Sequence, residues 1–81
     1  MKNKRNQEES NEILINLGKR IKALRLEKNW TQEKFAEMAK INDKEVTHIE
    51  AGRRNITIET LVKIANSFNT EPHLLLREST D

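Results

Sequence analysis

The side chains most suited to chemistry are polar or charged, and they are concentrated between residues 31 and 55. Their amide, hydroxyl, imidazole, ammonium and guanidinium groups can form hydrogen bonds, and the cations can pair with anions. The sequence contains no nucleophile with a base, no working pair of carboxylates and no phosphate-cradling glycine loop, so we expect no enzyme activity. The candidates for binding are Gln32, Asp43, Lys44, Thr47, His48, Arg53, Arg54 and Asn55.

The overall composition narrows the class of protein further. The 81 residues include no cysteine, which excludes disulfides and thiolate metal sites. Only two histidines occur, far apart in the sequence, so we expect no metal, and nothing indicates a cofactor or a small-molecule ligand. No apolar run approaches the roughly 18 residues of a membrane span, and no leader peptide is visible. We therefore expect a single-domain cytoplasmic protein without membrane contact.

The charge balance alone does not identify a partner. Lysine and arginine number 15 and aspartate and glutamate 13, for a net charge of +2. Between residues 2 and 34 there are nine basic residues against five acidic ones. A solvated helix face produces such a mixture about as often as a polyanion-binding surface does. The basic residues Lys2, Lys4 and Arg5 could enter a minor groove or simply fray, and we favour fraying.

Two short helices with closely spaced start signals must position the candidate side chains. Thr31 and Asn42 are suitable N-cap residues, because their side-chain oxygens can accept N–H groups of a first helical turn. Glu45 completes a capping-box pattern with Asn42, and Gly52 suits a left-handed helix end. Helices this close must pack at a steep angle, which leaves the second free to project into a DNA major groove. Each start is flanked by an apolar staple, Trp30 with Phe35 and Ile41 with Val46.

Three further helices complete an all-α domain. Apolar residues recur at helical steps between residues 12 and 28, interrupted by Gly18, where a glycine would allow a neighbour to approach closely. Thr57 begins a fourth helix that ends before Asn69, and Pro72 suits the first turn of a fifth. We divide the chain into a flexible polar arm (1–11), a helical domain (12–77) and a C-terminal tail (78–81). The expected core positions are Leu14, Leu17, Ile21, Leu24, Phe35, Ala36, Ala39, Val46, Ile49, Leu61, Ile64, Ala65 and Phe68.

Two stretches of this pattern resemble a known family. Residues 32–39 (QEKFAEMA) and 46–54 (VTHIEAGRR) are similar to the helix-turn-helix of phage-repressor and Cro-like proteins, also called xenobiotic-response-element type regulators. The resemblance extends from about Leu17 to Leu76. It implies a five-helix repressor-like domain whose recognition helix, at about residues 43–51, lies in the major groove of double-stranded DNA. It also implies a sequence-specific transcriptional regulator that acts as a homodimer. The alternative is an antitoxin-like protein-interaction module with weak or no DNA binding, which the low net charge favours.

Carried over position by position, the resemblance implies two sets of DNA contacts. We expect Asp43 and Glu45 to stabilise the first turn of the helix in the first place and to read bases only in the second, because carboxylates suit a helix start and repel phosphates. The base-reading set is Asp43, Lys44, Thr47 and His48, and the phosphate-binding set is Gln32, Arg53, Arg54 and Asn55.

Structural roles follow from the same resemblance. Arg25 and Glu50 are expected to form a largely buried ion pair that ties the first helix to the third; otherwise both are surface charges. Lys40 stands in the turn where the family usually has glycine, and a left-handed backbone there costs about 1 kcal/mol. Three consecutive leucines cannot all be buried by one helix, so we expect a dimer interface at Leu74, Leu75 and Leu76.

Overall fold

The described part of the chain consists of helices and the turns that join them. A computed structural model describes the backbone of residues 4–77 and the side chains of residues 7–77. Lys2 and the predicted tail at residues 78–81 lie outside the described residues. Residues 4–77 form five α-helices and no strand, so the predicted all-α, five-helix class is confirmed. The helices are α1 (Lys4–Glu27), α2 (Gln32–Ala39), α3 (Asp43–Glu50), α4 (Ile58–Ser67) and α5 (Pro72–Leu75).

Helix α1 begins at Lys4, so the predicted start at Glu12 is wrong. The prediction relied on apolar periodicity, and that signal starts only at Leu14. Residues 4–11 contain neither glycine nor proline, and most of them are lysine, arginine, glutamine or glutamate, which lose little side-chain freedom in a helix. Helix propensity without an apolar stripe therefore extends α1 to 24 residues.

The three predicted N-caps are confirmed. The hydroxyls of Thr31 and Thr57 each accept a hydrogen bond from the backbone N–H three residues on, at 2.9 and 3.1 Å. Asn42 Oδ1 accepts from the N–H of Lys44 at 2.8 Å. These bonds satisfy N–H groups that a helix start otherwise leaves without a partner, and they set where α2, α3 and α4 begin.

Left-handed backbone occurs at each predicted position. Gly52 (φ 74°) follows α3, Asn69 (φ 58°) follows α4, and Lys40 (φ 61°) ends α2. Asn29 (φ 59°), between α1 and α2, adopts the same conformation without having been predicted. Asparagine tolerates this region well, whereas for Lys40 it costs about 1 kcal/mol. The turn between α2 and α3 therefore has a left-handed backbone that suits glycine, with a lysine in that position.

The core forms where α3 packs on α1 and α2, while α4 packs on α2 and α5. The Phe68 ring stacks on both Trp30 and Phe35, with ring centroids 5.6 and 5.1 Å away, so Trp30 packs against the core as predicted. Leu14 and Leu24 are only half-buried, and Leu14 lines an open groove beside Ile56. The buried apolar residues are Leu17, Ile21, Phe35, Ala36, Ala39, Val46, Ile49, Leu61, Ile64, Ala65, Phe68 and Leu75.

Gly18 marks a very close approach of α1 to the end of α3. A Cβ atom added to Gly18 would lie 2.5 Å from the carbonyl oxygen of Ile49 and 2.6 Å from that of Glu50. Real Cβ atoms do not come this close to backbone oxygens. The predicted reason for a glycine inside α1 is therefore confirmed, and it fixes the C-terminal end of α3 against α1.

Candidate nucleic-acid interface

Helix α3 has a buried side and an exposed side. Val46 and Ile49 point into the core, as the apolar spacing predicted. The opposite side carries most of the residues that the resemblance assigned to base reading. Asp43, Lys44 and Thr47 are exposed, and His48 is half-buried at the edge of that side. The exposed side of α3 is therefore polar, and a large partner can reach it.

A buried ion pair holds the C-terminal end of α3. Arg25 Nε donates to Glu50 Oε2 at 2.6 Å, and Arg25 Nη2 donates to Glu50 Oε1 at 3.1 Å. The two side chains are only 9% and 5% exposed. Arg25 Nη1 also donates to the carbonyl oxygen of Trp30 at 2.9 Å, which ties the start of α2 to the same point. Arg25 and Glu50 thus lie at the junction of α1, α2 and α3.

Gln32, the first residue of α2, joins this ion pair to the exposed side of α3. Its Nε2 donates to Glu50 Oε1 at 3.2 Å, and its Oε1 accepts from Thr47 Oγ1 at 3.1 Å. A predicted phosphate ligand and a predicted base reader are therefore bonded to each other. This connection was not predicted, because no local sequence pattern indicates that a glutamine bonds to a threonine fifteen residues away.

The loop that follows α3 carries the remaining phosphate candidates. Arg53, Arg54 and Asn55 are all exposed. Gly52 fixes where this loop starts, since a Cβ there would lie 2.7 Å from the Cα of Ile15 in α1. The loop therefore leaves α3 against the backbone of α1, and its side chains point away from the core.

The two arginines of this loop have different surroundings. Arg54 Nε lies 3.5 Å from Glu45 Oε1, whereas Arg53 forms no ion pair within residues 7–77. The predicted capping box is wrong, although Asn42 does cap α3: Asn42 Oδ1 accepts from the N–H of Lys44, one residue before Glu45, and the Glu45 carboxylate lies near this guanidinium and makes no hydrogen bond to the N–H of Asn42. Arg53 is the freer cation of the two.

The three leucines assigned to a dimer interface separate in the structure. Leu75 is 1% exposed and belongs to the core of its own chain. Leu74 is half-buried, and Leu76 is 47% exposed. Only Leu74 and Leu76 therefore remain as candidates for contact with a second copy.

None of the helices between residues 4 and 77 is both long enough and apolar enough to cross a membrane. Among the same residues, no group of three or more histidine, cysteine, aspartate or glutamate side chains could hold a metal ion.

Comparison with known proteins identifies relatives over most of the chain. A sequence model of the helix-turn-helix family matches residues 21–75. Control protein C.BamHI of Bacillus amyloliquefaciens is 31% identical over 72 residues, which cover 88% of this chain and 89% of that protein. The crystal structure of the restriction-modification controller protein C.AhdI from Aeromonas hydrophila matches with a TM-score of 0.73 at 31% identity, over 76% of this chain and 94% of that chain.

A third protein shares the fold at lower identity. The hypothetical transcription factor NHTF from Neisseria matches with a TM-score of 0.79 at 23% identity, over 85% of this chain and 79% of that chain. The family match spans α2 to α5 and the last seven residues of α1. The chain belongs to the helix-turn-helix family of xenobiotic-response-element type DNA-binding transcription regulators.

Proposed function

We propose that this protein is a sequence-specific DNA-binding transcriptional regulator that acts as a homodimer and inserts α3 into the major groove. The observation that carries the proposal is the exposed polar side of α3, backed by a buried apolar side that fixes its direction. An α-helix fits the major groove of B-DNA, where base edges can be read by such side chains. The relatives C.BamHI and C.AhdI are named as control and controller proteins, which supports a regulatory role of the same kind.

Base reading falls to the exposed residues of α3. Lys44 can donate to O6 and N7 of guanine, and Thr47 can make a hydrogen bond or a methyl contact with thymine. His48, half-buried at the edge of that side, is a further candidate. The main role of Asp43 is to stabilise the start of α3, because a carboxylate there interacts favourably with the helix dipole.

Phosphate binding falls to the two ends of the motif. Gln32 lies at the N-terminus of α2, where the first-turn N–H groups that Thr31 does not cap can meet an anion. Arg53, Arg54 and Asn55 are exposed in the loop after α3 and would meet phosphates on the other side of the groove. Contacts with DNA phosphates on both sides would fix the position of α3 along the groove.

A homodimer would present two copies of α3 to two half-sites. Leu76, 47% exposed, and the half-buried Leu74 supply apolar surface on and just after α5 for a two-fold contact. In dimers of this kind the half-sites lie about one DNA turn, or ~34 Å, apart. The operator is then expected to be approximately palindromic.

Titration with the DNA upstream of the protein's own gene, at several salt concentrations, tests the proposal. The logarithm of the affinity should fall steeply with the logarithm of salt, because bound cations release counterions from DNA. Arg53→Ala should lower that slope by about 0.9, the contribution of one phosphate contact. Lys19→Ala is the matched control, since Lys19 is an exposed cation that lines a groove beside Arg77 to which no residue of α3 contributes. It should leave the slope unchanged.

One observation favours a second candidate, a protein-interaction module with weak or no DNA binding. Asp43 and Glu45 place two carboxylates at the start of α3, and the carboxylate of Glu45 already pairs with Arg54. Such a surface would repel phosphates more than a basic one does. Absent or salt-insensitive binding to every duplex would favour this candidate over the regulator.

A further inference from the structure

A chain of hydrogen bonds runs from Arg25 through Glu50 and Gln32 to Thr47, and the direction of each bond is fixed. Arg25 gives two N–H groups to the carboxylate of Glu50, at 2.6 and 3.1 Å, and a guanidinium has only donors. The carboxylate that faces it has only acceptors. Gln32 must therefore turn its NH₂ group toward Glu50 Oε1, because the opposite orientation would set two acceptor oxygens 3.2 Å apart.

The orientation of the Gln32 amide decides where the Thr47 proton points. The Gln32 carbonyl oxygen lies 3.1 Å from Thr47 Oγ1 and can only accept. Thr47 must therefore donate its single hydroxyl proton inward, toward α2. The lone pairs of Oγ1 remain on an exposed residue, so Thr47 offers an acceptor, and no donor, to a partner at the surface of α3.

An acceptor in the major groove has a defined preference among bases. Adenine N6 and cytosine N4 carry amino donors, whereas guanine O6 and thymine O4 are acceptors. We propose that Gln32 and Glu50 are positioning residues for Thr47, and that they make its hydroxyl select adenine or cytosine over guanine or thymine. The inference rests on the proposed function, because it concerns how α3 reads DNA.

Positioning Thr47 is separate from binding a phosphate. An amide NH₂ group has two N–H donors, and Glu50 uses only one of those on Gln32. The second donor remains available for a phosphate oxygen. Losing a phosphate contact weakens binding to all sequences alike, whereas losing the positioning bond changes the ratio of affinities between sequences. The ratio is therefore the readout that separates the two roles.

The bond between Gln32 and Thr47 can be tested without DNA. We expect the NMR signals of the Gln32 side-chain carbonyl and NH₂ group to shift in Thr47→Val, which keeps the side-chain shape and removes the hydroxyl. Thr47→Ser should return them toward their original positions, since it restores the donor. Thr70→Val, at a half-buried threonine after α4, is the matched control and should leave them unchanged. Gln32 signals that are the same with and without the Thr47 hydroxyl would overturn the proposal.

The effect on base preference is measured with duplexes selected from a randomised pool by the unsubstituted protein. One position should prefer adenine or cytosine over guanine or thymine by about 5-fold, the size of one hydrogen bond. Thr47→Val should remove this preference and so identify the position. Gln32→Met should bring the ratio close to one, because the freed hydroxyl can rotate and donate. Lys34→Met is the control, since it also introduces methionine into α2, at an exposed residue. It should keep the ratio of affinities between the bases even if it weakens binding to all duplexes.

Four outcomes of the binding experiment count against the proposal in different ways. An unchanged ratio in Gln32→Met, or a preference for guanine or thymine at the Thr47-dependent position, overturns the positioning role. Salt-dependent binding without any Thr47-dependent position overturns it too and leaves the proposed function intact. If the unsubstituted protein binds no duplex in the pool, the proposed function fails and base selection by Thr47 fails with it.

Discussion

The two ends of α3 are held in different ways. At the C-terminal end, Gly18 brings the backbone of α1 into contact, and the side chain of Glu50 is only 5% exposed. At the N-terminal end, the helix depends on the side-chain cap of Asn42 and the left-handed turn at Lys40, and Lys44 is exposed. A helix fixed at one end and exposed at the other can be both rigid and accessible. Substitutions at the fixed end should cost stability, and those at the exposed end should alter binding.

The largest effect is expected at Glu50. Glu50→Ala leaves the guanidinium of Arg25 buried without its partner and should lower the free energy of unfolding by ~3–5 kcal/mol. Glu37→Ala is the matched control, because Glu37 is exposed and lies 3.8 Å from Lys34, a surface pair worth less than ~1 kcal/mol. Denaturant titration of both variants measures the difference. Equal losses would mean that the buried pair stabilises no more than a surface pair.

The caps and turns in this contrast could be predicted from the sequence because they are local, whereas the pair of Arg25 with Glu50, 25 residues apart, was expected only from the family resemblance. A cap such as Asn42 acts on an N–H two residues away, and the left-handed conformation of Gly52 depends on its own backbone, so both are visible in a short stretch. The start of α1 at Lys4 was missed because polar residues give no apolar period. The bond from Thr47 to Gln32 was missed because it depends on how two helices cross, which no local pattern encodes.

Gly18 tests the same end of α3 through the backbone. Gly18→Ala should lower stability by about 1–3 kcal/mol, since the added Cβ meets two carbonyl oxygens of α3. The sign is informative, because alanine on a helix normally gains about 1 kcal/mol over glycine. Ala23→Gly, at an exposed position of α1, is the control and should lose roughly that amount. A Gly18→Ala protein that melts at or above the original temperature would contradict the close approach.

Lys40 tests the exposed end with the opposite sign. Lys40→Gly relieves a left-handed lysine and should raise stability by up to ~1 kcal/mol, or about 4–8 °C in melting temperature for a domain of this size. Lys34→Gly, inside α2, should instead destabilise by about 1 kcal/mol. Thermal melts of the two variants give the comparison. No gain for Lys40→Gly would indicate that the lysine side chain compensates for its backbone.

The smallest stability effect is expected at Arg54. Its pair with Glu45 is exposed, so Arg54→Ala should cost less than ~1 kcal/mol of stability. In DNA binding, Arg54→Ala should lower the salt slope less than Arg53→Ala, because Arg54 must leave Glu45 to reach a phosphate. Glu45→Gln should then raise the affinity for DNA by releasing Arg54 and removing a carboxylate from the groove. If Glu45→Gln leaves the affinity unchanged, Arg54 stays with Glu45 in the complex, and Arg53 alone anchors that side of α3.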